Sequence, residues 1–200
     1  MPNNFSIEIE GGIEEPPMVG RNIGVIMKLG VLKEPADETR VAIVPTSMKK
    51  LLKAGFEVII ETGAGRLANY SDQAYTDAGA TIGTREEAMA CANIITIRFP
   101  GVAGLAEGTT LACVSDPFRN PQHVKDCMKA NITLLSMDMI PRRLSRAQSM
   151  DVNSSQDNLS GYKAVLLGAS QVPKGIPMMT TSAGTIRPAK VVIMGSGVAG

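Results

Sequence analysis

From residue 27 onward, short aliphatic runs alternate with segments whose apolar positions recur at helical spacing. MKLGVL (27–32), RVAIVP (40–45), FEVIIET (56–62), NIITIRF (93–99), TTLACVS (109–115) and NITLLSM (131–137) read as strands, bounded by Pro, Gly or charged turns. Between them lie helices. Thr46 is the expected N-cap of one carrying Met48, Leu51 and Leu52 and stopped at Gly55. Ser71 opens a helix running to Gly79, Thr84 opens one through Cys91, and PQHVKDCMKA forms another. Apolar strands separated by single helices predict an α/β fold, a doubly wound parallel sheet covered on both faces.

After Asp138 the pattern changes. A basic turn with Arg142, Arg143 and Arg146 leads into one long helix over SRAQSMDVNSSQDNLSGYKAVLLGAS. Met150, Leu159, Tyr162 and Val165 mark its expected buried stripe. VPKGIPMMTTSAGTIRPAK reads as a connection, and VVIM (191–194) as a further strand. Upstream, residues 1–26 are acidic and rich in Gly and Pro, which fits neither a signal nor a transit peptide. The expected organisation is therefore an acidic, disordered extension (1–26), an α/β domain (27–145), and a connecting helix with the start of a second nucleotide-binding domain (146–200).

Composition narrows the function. The 20 Lys+Arg offset 19 Asp+Glu, and 4% of residues are aromatic with no tryptophan, which speaks against a nucleic-acid binder. No apolar run reaches the roughly 18 residues that a membrane span needs. Cys91, Cys113 and Cys127 are far apart and there is one histidine, His123, so neither a disulfide framework nor a zinc site is expected. His123 itself reads as a solvated residue on a surface helix.

Two features carry chemistry. Gly195, Gly197 and Gly200 stand in G-x-G-x-x-G spacing directly after VVIM. In that order the glycines permit a tight turn, close approach of backbone to a pyrophosphate, and helix–strand packing; the alternative is a plain strand-to-loop turn. The third glycine is the last residue, so the helix that would seat the pyrophosphate, and the acid that would read the ribose, fall beyond it. In the long helix, Gln148, Asp151 and Ser155 fall at i, i+3 and i+7, with Ser154 beside them. One reading makes Ser145 and Gln148 a capping box and Asp151 a first-turn acid. The other makes the face a site wall, in which an amide and a carboxylate address a polar ring substituent while an arginine faces a phosphate.

At these residues the sequence resembles the NAD(H)-binding alpha subunits of the proton-translocating NAD(P)+ transhydrogenases, relatives of alanine dehydrogenase. The similar stretches are MKLGVLKEPADETRVAIVP, GFEVIIETGAG, YSDQAYTDAGA, SRAQSMDVNSSQDNLSGYKAVL and PAKVVIMGSGVAG, together spanning about residues 27–200. The resemblance implies a flavodoxin- or Rossmann-like fold that binds NAD(H). It places Arg143, Gln148, Asp151 and Ser154 around the nicotinamide, with Gln148 and Asp151 as the catalytic pair, and puts Gly195, Gly197 and Gly200 on the pyrophosphate. The family shows a single arginine and one residue fewer before RAQ, so Arg142 and Arg143 compete for the arginine role.

The resemblance further implies hydride transfer between NAD(H) and NADP(H) coupled to proton translocation. It places NADP(H) on a partner domain, adds membrane and NADP(H)-binding partner subunits and a homodimer, and puts the chain on the cytoplasmic side of the inner membrane, held there by those partners. The alternatives are an alanine dehydrogenase-like oxidoreductase and a truncated, non-catalytic domain. Alanine dehydrogenases use a lysine and a histidine where this chain shows Arg98 and Asp116. Arginine stays protonated and cannot act as a base. Hydride passage between two nicotinamides needs positioning and no proton transfer. Arg40 matches the dehydrogenases' carboxylate-binding arginine and is read as shared ancestry. The 200 residues alone are expected to bind NAD(H) weakly, not to turn over, and to aggregate through the uncovered VVIM strand.

Overall fold

The computed structural model describes residues 27–200; the acidic extension lies outside the described residues. Strands β1 (Met27–Val31), β2 (Phe56–Glu61), β3 (Thr81–Gly83), β4 (Asn93–Arg98), β5 (Thr110–Val114) and β6 (Thr133–Ser136) form one sheet in the order β3-β2-β1-β4-β5-β6. Every neighbouring pair in it is parallel, as the strand–helix alternation predicts. The order reverses between β1 and β4, the switch point of a doubly wound fold.

Helices α1 (Met48–Lys53), α2 (Asp72–Asp77), α3 (Arg85–Met89) and α4 (Pro121–Lys129) supply the cover. Side chains alternate across a strand, so β2 sends Val58 and Ile60 into one core with Met48 and Tyr75. Its Ile59 packs on the opposite core, with Ala88, Ile94, Leu111, Cys113 and Cys127. The predicted caps hold for two helices. Ser71 accepts from Ala74 N–H, and Thr84 and Glu87 form a full capping box. The three thiols are free and buried, and burial pushes that of Cys113 up to about 12.

Several expectations fail locally. Residues 40–44 are not a strand. Only seven residues separate MKLGVL from RVAIVP, too few for a parallel crossover of about a dozen. The segment instead buries Val41 and is pinned where Tyr75 donates its hydroxyl to the Ile43 carbonyl at 2.8 Å. The edge strand β3 takes the sixth place in the sheet; at three residues it is too short to stand out as an apolar run. Thr46 is not a cap: it lies inside a one-turn 3-10 helix (Pro45–Ser47), and Ser47 precedes α1 without a side-chain bond. The stretch read as a plain connection contains a hairpin of β7 (Met179–Thr181) and β8 (Gly184–Ile186). VVIM is not a strand either; among the described residues no strand pairs with it, and all four side chains are exposed.

Candidate functional site

The long helix α5 (Val152–Gln171) begins later than its sequence pattern suggests. Asp151 takes the cap: its backbone leaves the helical region, and its carboxylate accepts from the Ser154 N–H at 3.0 Å and from the Ser154 hydroxyl. An aspartate with a serine three residues on satisfies orphan N–H groups better than a Ser145–Gln148 box would. Gln148 therefore sits outside α5, in a 3-10 turn (Gln148–Met150), exposed. The face shared by Gln148, Asp151 and Ser155 is consequently not a continuous helical face. Nor is the apolar stripe buried, since Met150, Leu159, Tyr162 and Val165 are all more than half exposed.

Asp151 is the one buried carboxylate here, 9% exposed. Its two bonds from Ser154, followed by the nearby Arg142 guanidinium, hold its carboxyl below the usual carboxylate range. Arg142 lies 3.6 Å from Asp151 and bonds Asp157 at 2.9 Å. Arg143 is exposed and forms no ion pair among the described residues. The first turn of α5 is tied to the sheet by the Asn153 amide, which donates to the Asp138 carbonyl at 3.1 Å. One turn further, Arg40 donates to Gln156 at 2.8 Å. Arg40 thus anchors α5, a role invisible in the sequence.

A cavity of about 860 Å³ runs along α5. Its lining includes Arg142, Asp157, Gly161 and Lys190 together with all three glycines of the turn. Arg143, Gln148, Asp151 and Ser154 do not line it; Asp151 and Ser154 adjoin it through Arg142, whereas Gln148 and Arg143 stand outside. Gly195 has φ +109°, a backbone that favours glycine. Gly161, which the motifs do not include, matters as much. A Cβ there would overlap the Ala199 carbonyl, so only glycine lets the G-x-G-x-x-G segment lie against the helix. The available signal was a lone glycine inside a helical pattern.

The other concave site is a cleft of about 300 Å³ at the carboxyl ends of β1 and β4, lined by Lys33, Glu34, Arg85 and Arg98 among others. Arg98 bonds Asp37 at 2.7 Å and approaches Glu38 at 3.4 Å; Arg40 bonds Glu38 at 2.7 Å. Glu34 accepts the Ile97 and Arg98 N–H groups at the β4–β5 irregularity. Asp116 has φ 45° and faces Arg119 at 3.7 Å. His123, expected to be solvated, is half-buried: it stacks on Phe99 at 4.1 Å and its Nδ1 lies 2.8 Å from the Ser115 carbonyl. Among the described residues no three His, Cys, Asp or Glu side chains group to hold a metal ion, and no helix is long and apolar enough to cross a membrane.

These ion pairs carry a pH signature. The Arg40 hydrogen bonds hold Glu38 at about 2, against an unfolded carboxyl near roughly 4.3. Its stabilisation is complete above the unfolded value and lost as pH falls toward the folded one. Glu34, pushed up by burial, acts with the opposite sign. Thermal melts from pH 7 down to about 2 should fall most steeply below about 4.5, and Glu38→Gln should be less stable at neutral pH but flatter in acid. Parallel acid limbs in the two proteins would contradict this.

Family models match two consecutive segments: the N-terminal domain of alanine dehydrogenase/PNT over residues 30–160 and its C-terminal domain over residues 164–200. The chain is 44% identical over 185 residues to an NAD(P) transhydrogenase alpha subunit of Rhodospirillum rubrum, covering 87% of this chain and 48% of that protein. It is 39% identical to the NAD(P) transhydrogenase subunit alpha of Haemophilus influenzae, covering 87% and 35%. Among solved structures, transhydrogenase from Sinorhizobium meliloti matches with a TM-score of 0.83 at 40% identity, over 86% of this chain and 53% of that one. The alanine dehydrogenase of Methanococcus maripaludis is more distant, at 30% identity over 87% of this chain and 48% of that protein. The chain spans about half the length of the transhydrogenase subunit of R. rubrum. With its fold, its glycine turn and its two matched segments agreeing, the chain belongs to the alanine dehydrogenase/PNT family.

Proposed function

We propose that this chain is the NAD(H)-binding part of a proton-translocating transhydrogenase, in which NAD(H) and NADP(H) exchange a hydride. The observation that carries the reading is one cavity holding both the three-glycine turn and the arginine that fixes Asp151. Greater identity to transhydrogenase alpha subunits than to alanine dehydrogenases favours the same side.

The chemistry asked of the chain is positioning. Asp151 and Ser154 offer fixed acceptors, and Gln148 offers donors and an acceptor, for the carboxamide of a nicotinamide ring. A ring that loses hydride becomes positively charged, so an ionised Asp151 nearby favours the departure. No group needs to carry a proton, which suits a site whose acid is held ionised. The dehydrogenase reading lacks its machinery: Arg98 is committed to Asp37 and Glu38, and Asp116 occupies a turn.

NADP(H) would sit on a partner domain, and membrane-spanning partner subunits would conduct the proton and hold the chain on the cytoplasmic side of the inner membrane. A homodimer is part of the same proposal. So is the division into an extension (1–26), an α/β domain (27–145) and a cofactor-domain start (146–200). The test is an assay of the protein combined with an NADP(H)-binding partner subunit, using NADPH with an oxidised NAD analogue, and separately L-alanine with NAD. Reduction of the analogue without alanine oxidation supports the proposal; alanine oxidation without reduction of the analogue refutes it.

A further inference from the structure

The arginine that the structure places in the cavity is Arg142, whereas the family pattern assigns a role to Arg143. Arg142 is the extra residue of the Pro–Arg–Arg turn. It spans two carboxylates on α5, the near-buried Asp151 and the half-exposed Asp157, and it shares the cavity wall with Gly195, Gly197 and Gly200. Lys190 is the other cation of that wall and Asp157 its one acid. The remaining lining is largely small or apolar, including Ala164, Val165 and Val192. Such a cavity offers backbone N–H groups, two positive charges and an apolar floor, a combination suited to a phosphate-bearing ligand with a flat ring.

We propose that Arg142 is the anion-recognising side chain of this cavity, and that Asp157 holds its guanidinium at the wall in the place a pyrophosphate takes. Asp157 is thus a competitor for the ligand. It keeps the guanidinium positioned over the cavity and gives it up when a stronger, doubly charged acceptor lies on the glycine turn. Arg142 retains Asp151 as its second neighbour, so the phosphate end and the ring end of a ligand are read through one residue. The identity of the ligand as NAD(H) rests on the function proposed above; the anion role does not.

The competition gives the two variants opposite signs, which a purely structural ion pair cannot do. Calorimetric titration of the 200-residue chain with NADH, and separately with inorganic pyrophosphate, measures it. Arg142→Ala should weaken both about tenfold, and Asp157→Asn should tighten both about threefold. Added salt should narrow both differences, because the pair is partly exposed. Arg119→Ala, which removes a positive charge outside the cavity, should leave both affinities unchanged. The proposal is overturned if both cavity variants shift affinity the same way, if Arg142→Ala binds no worse than Arg119→Ala, or if the wild-type chain does not bind pyrophosphate. Pyrophosphate binding with the predicted signs but no NADH binding would retain Arg142 as the anion residue and reject the dinucleotide reading.

Discussion

Gly30→Ala is expected to destabilise the chain by about 3 kcal/mol or more. Gly30 lies mid-way along β1, between Ile59 of β2 and Ile94 of β4, at the centre of the sheet. The backbone carbonyl of Ala88, in α3, sits where a Cβ on residue 30 would go. That neighbour is main chain and cannot swing aside as a side-chain tip could. α3 is only five residues long, and Ala88 is fully buried among Leu32, Ile94 and Leu111. Making room for one methyl therefore lifts a helix off the core, losing packing across the whole face. Gly168 supplies the contrast: it lies inside α5 with nothing near a prospective Cβ, so Gly168→Ala should stabilise by about 0.5–1 kcal/mol. Urea unfolding of the two variants checks both, and equal midpoints would contradict the close-approach argument.

The second large effect concerns Asp151, where charge and capping can be separated. Asparagine caps a helix about as well as aspartate, so Asp151→Asn should change stability by less than about 1 kcal/mol. It removes the charge that faces Arg142 and, in the proposed site, the developing positive charge of the ring. Hydride transfer should fall on the order of a hundredfold, and affinity for the oxidised dinucleotide should fall more than for the reduced one. Asp151→Ala should show the same catalytic loss and also destabilise the chain by about 1 kcal/mol. Steady-state rates, dinucleotide titrations and melts on both variants give the comparison. If Asp151→Asn transferred hydride at the wild-type rate while Asp151→Ala did not, Asp151 would be a cap and nothing more.

The sheet was legible because all its strands except the short β3 are compact apolar runs with their own turn signals, and Ser71 and Thr84 are unambiguous caps. RVAIVP misled because composition says nothing about crossover length; its side chains are strand-like, but its place in the chain admits no partner. Around α5 the difficulty was competition among similar signals. Ser145, Asp151 and Ser154 can all cap, and only tertiary anchoring through Asn153 and Arg40 selects Asp151. The glycine turn was visible as a motif, yet its seat on Gly161 was not, because the contact links segments nearly forty residues apart. For the two arginines, the family's spacing points to Arg143, whereas the turn geometry swings Arg142 toward the carboxylates.

The most direct test maps the ring itself. Amide NMR spectra of the 200-residue chain, titrated with NADH to millimolar concentration, should show shifts concentrated at residues 148–154 and 195–200. Shifts confined to the ends of β1 and β4, around Glu34, Arg98 and Asp116, would instead place the ligand in the opposite cleft and contradict the account.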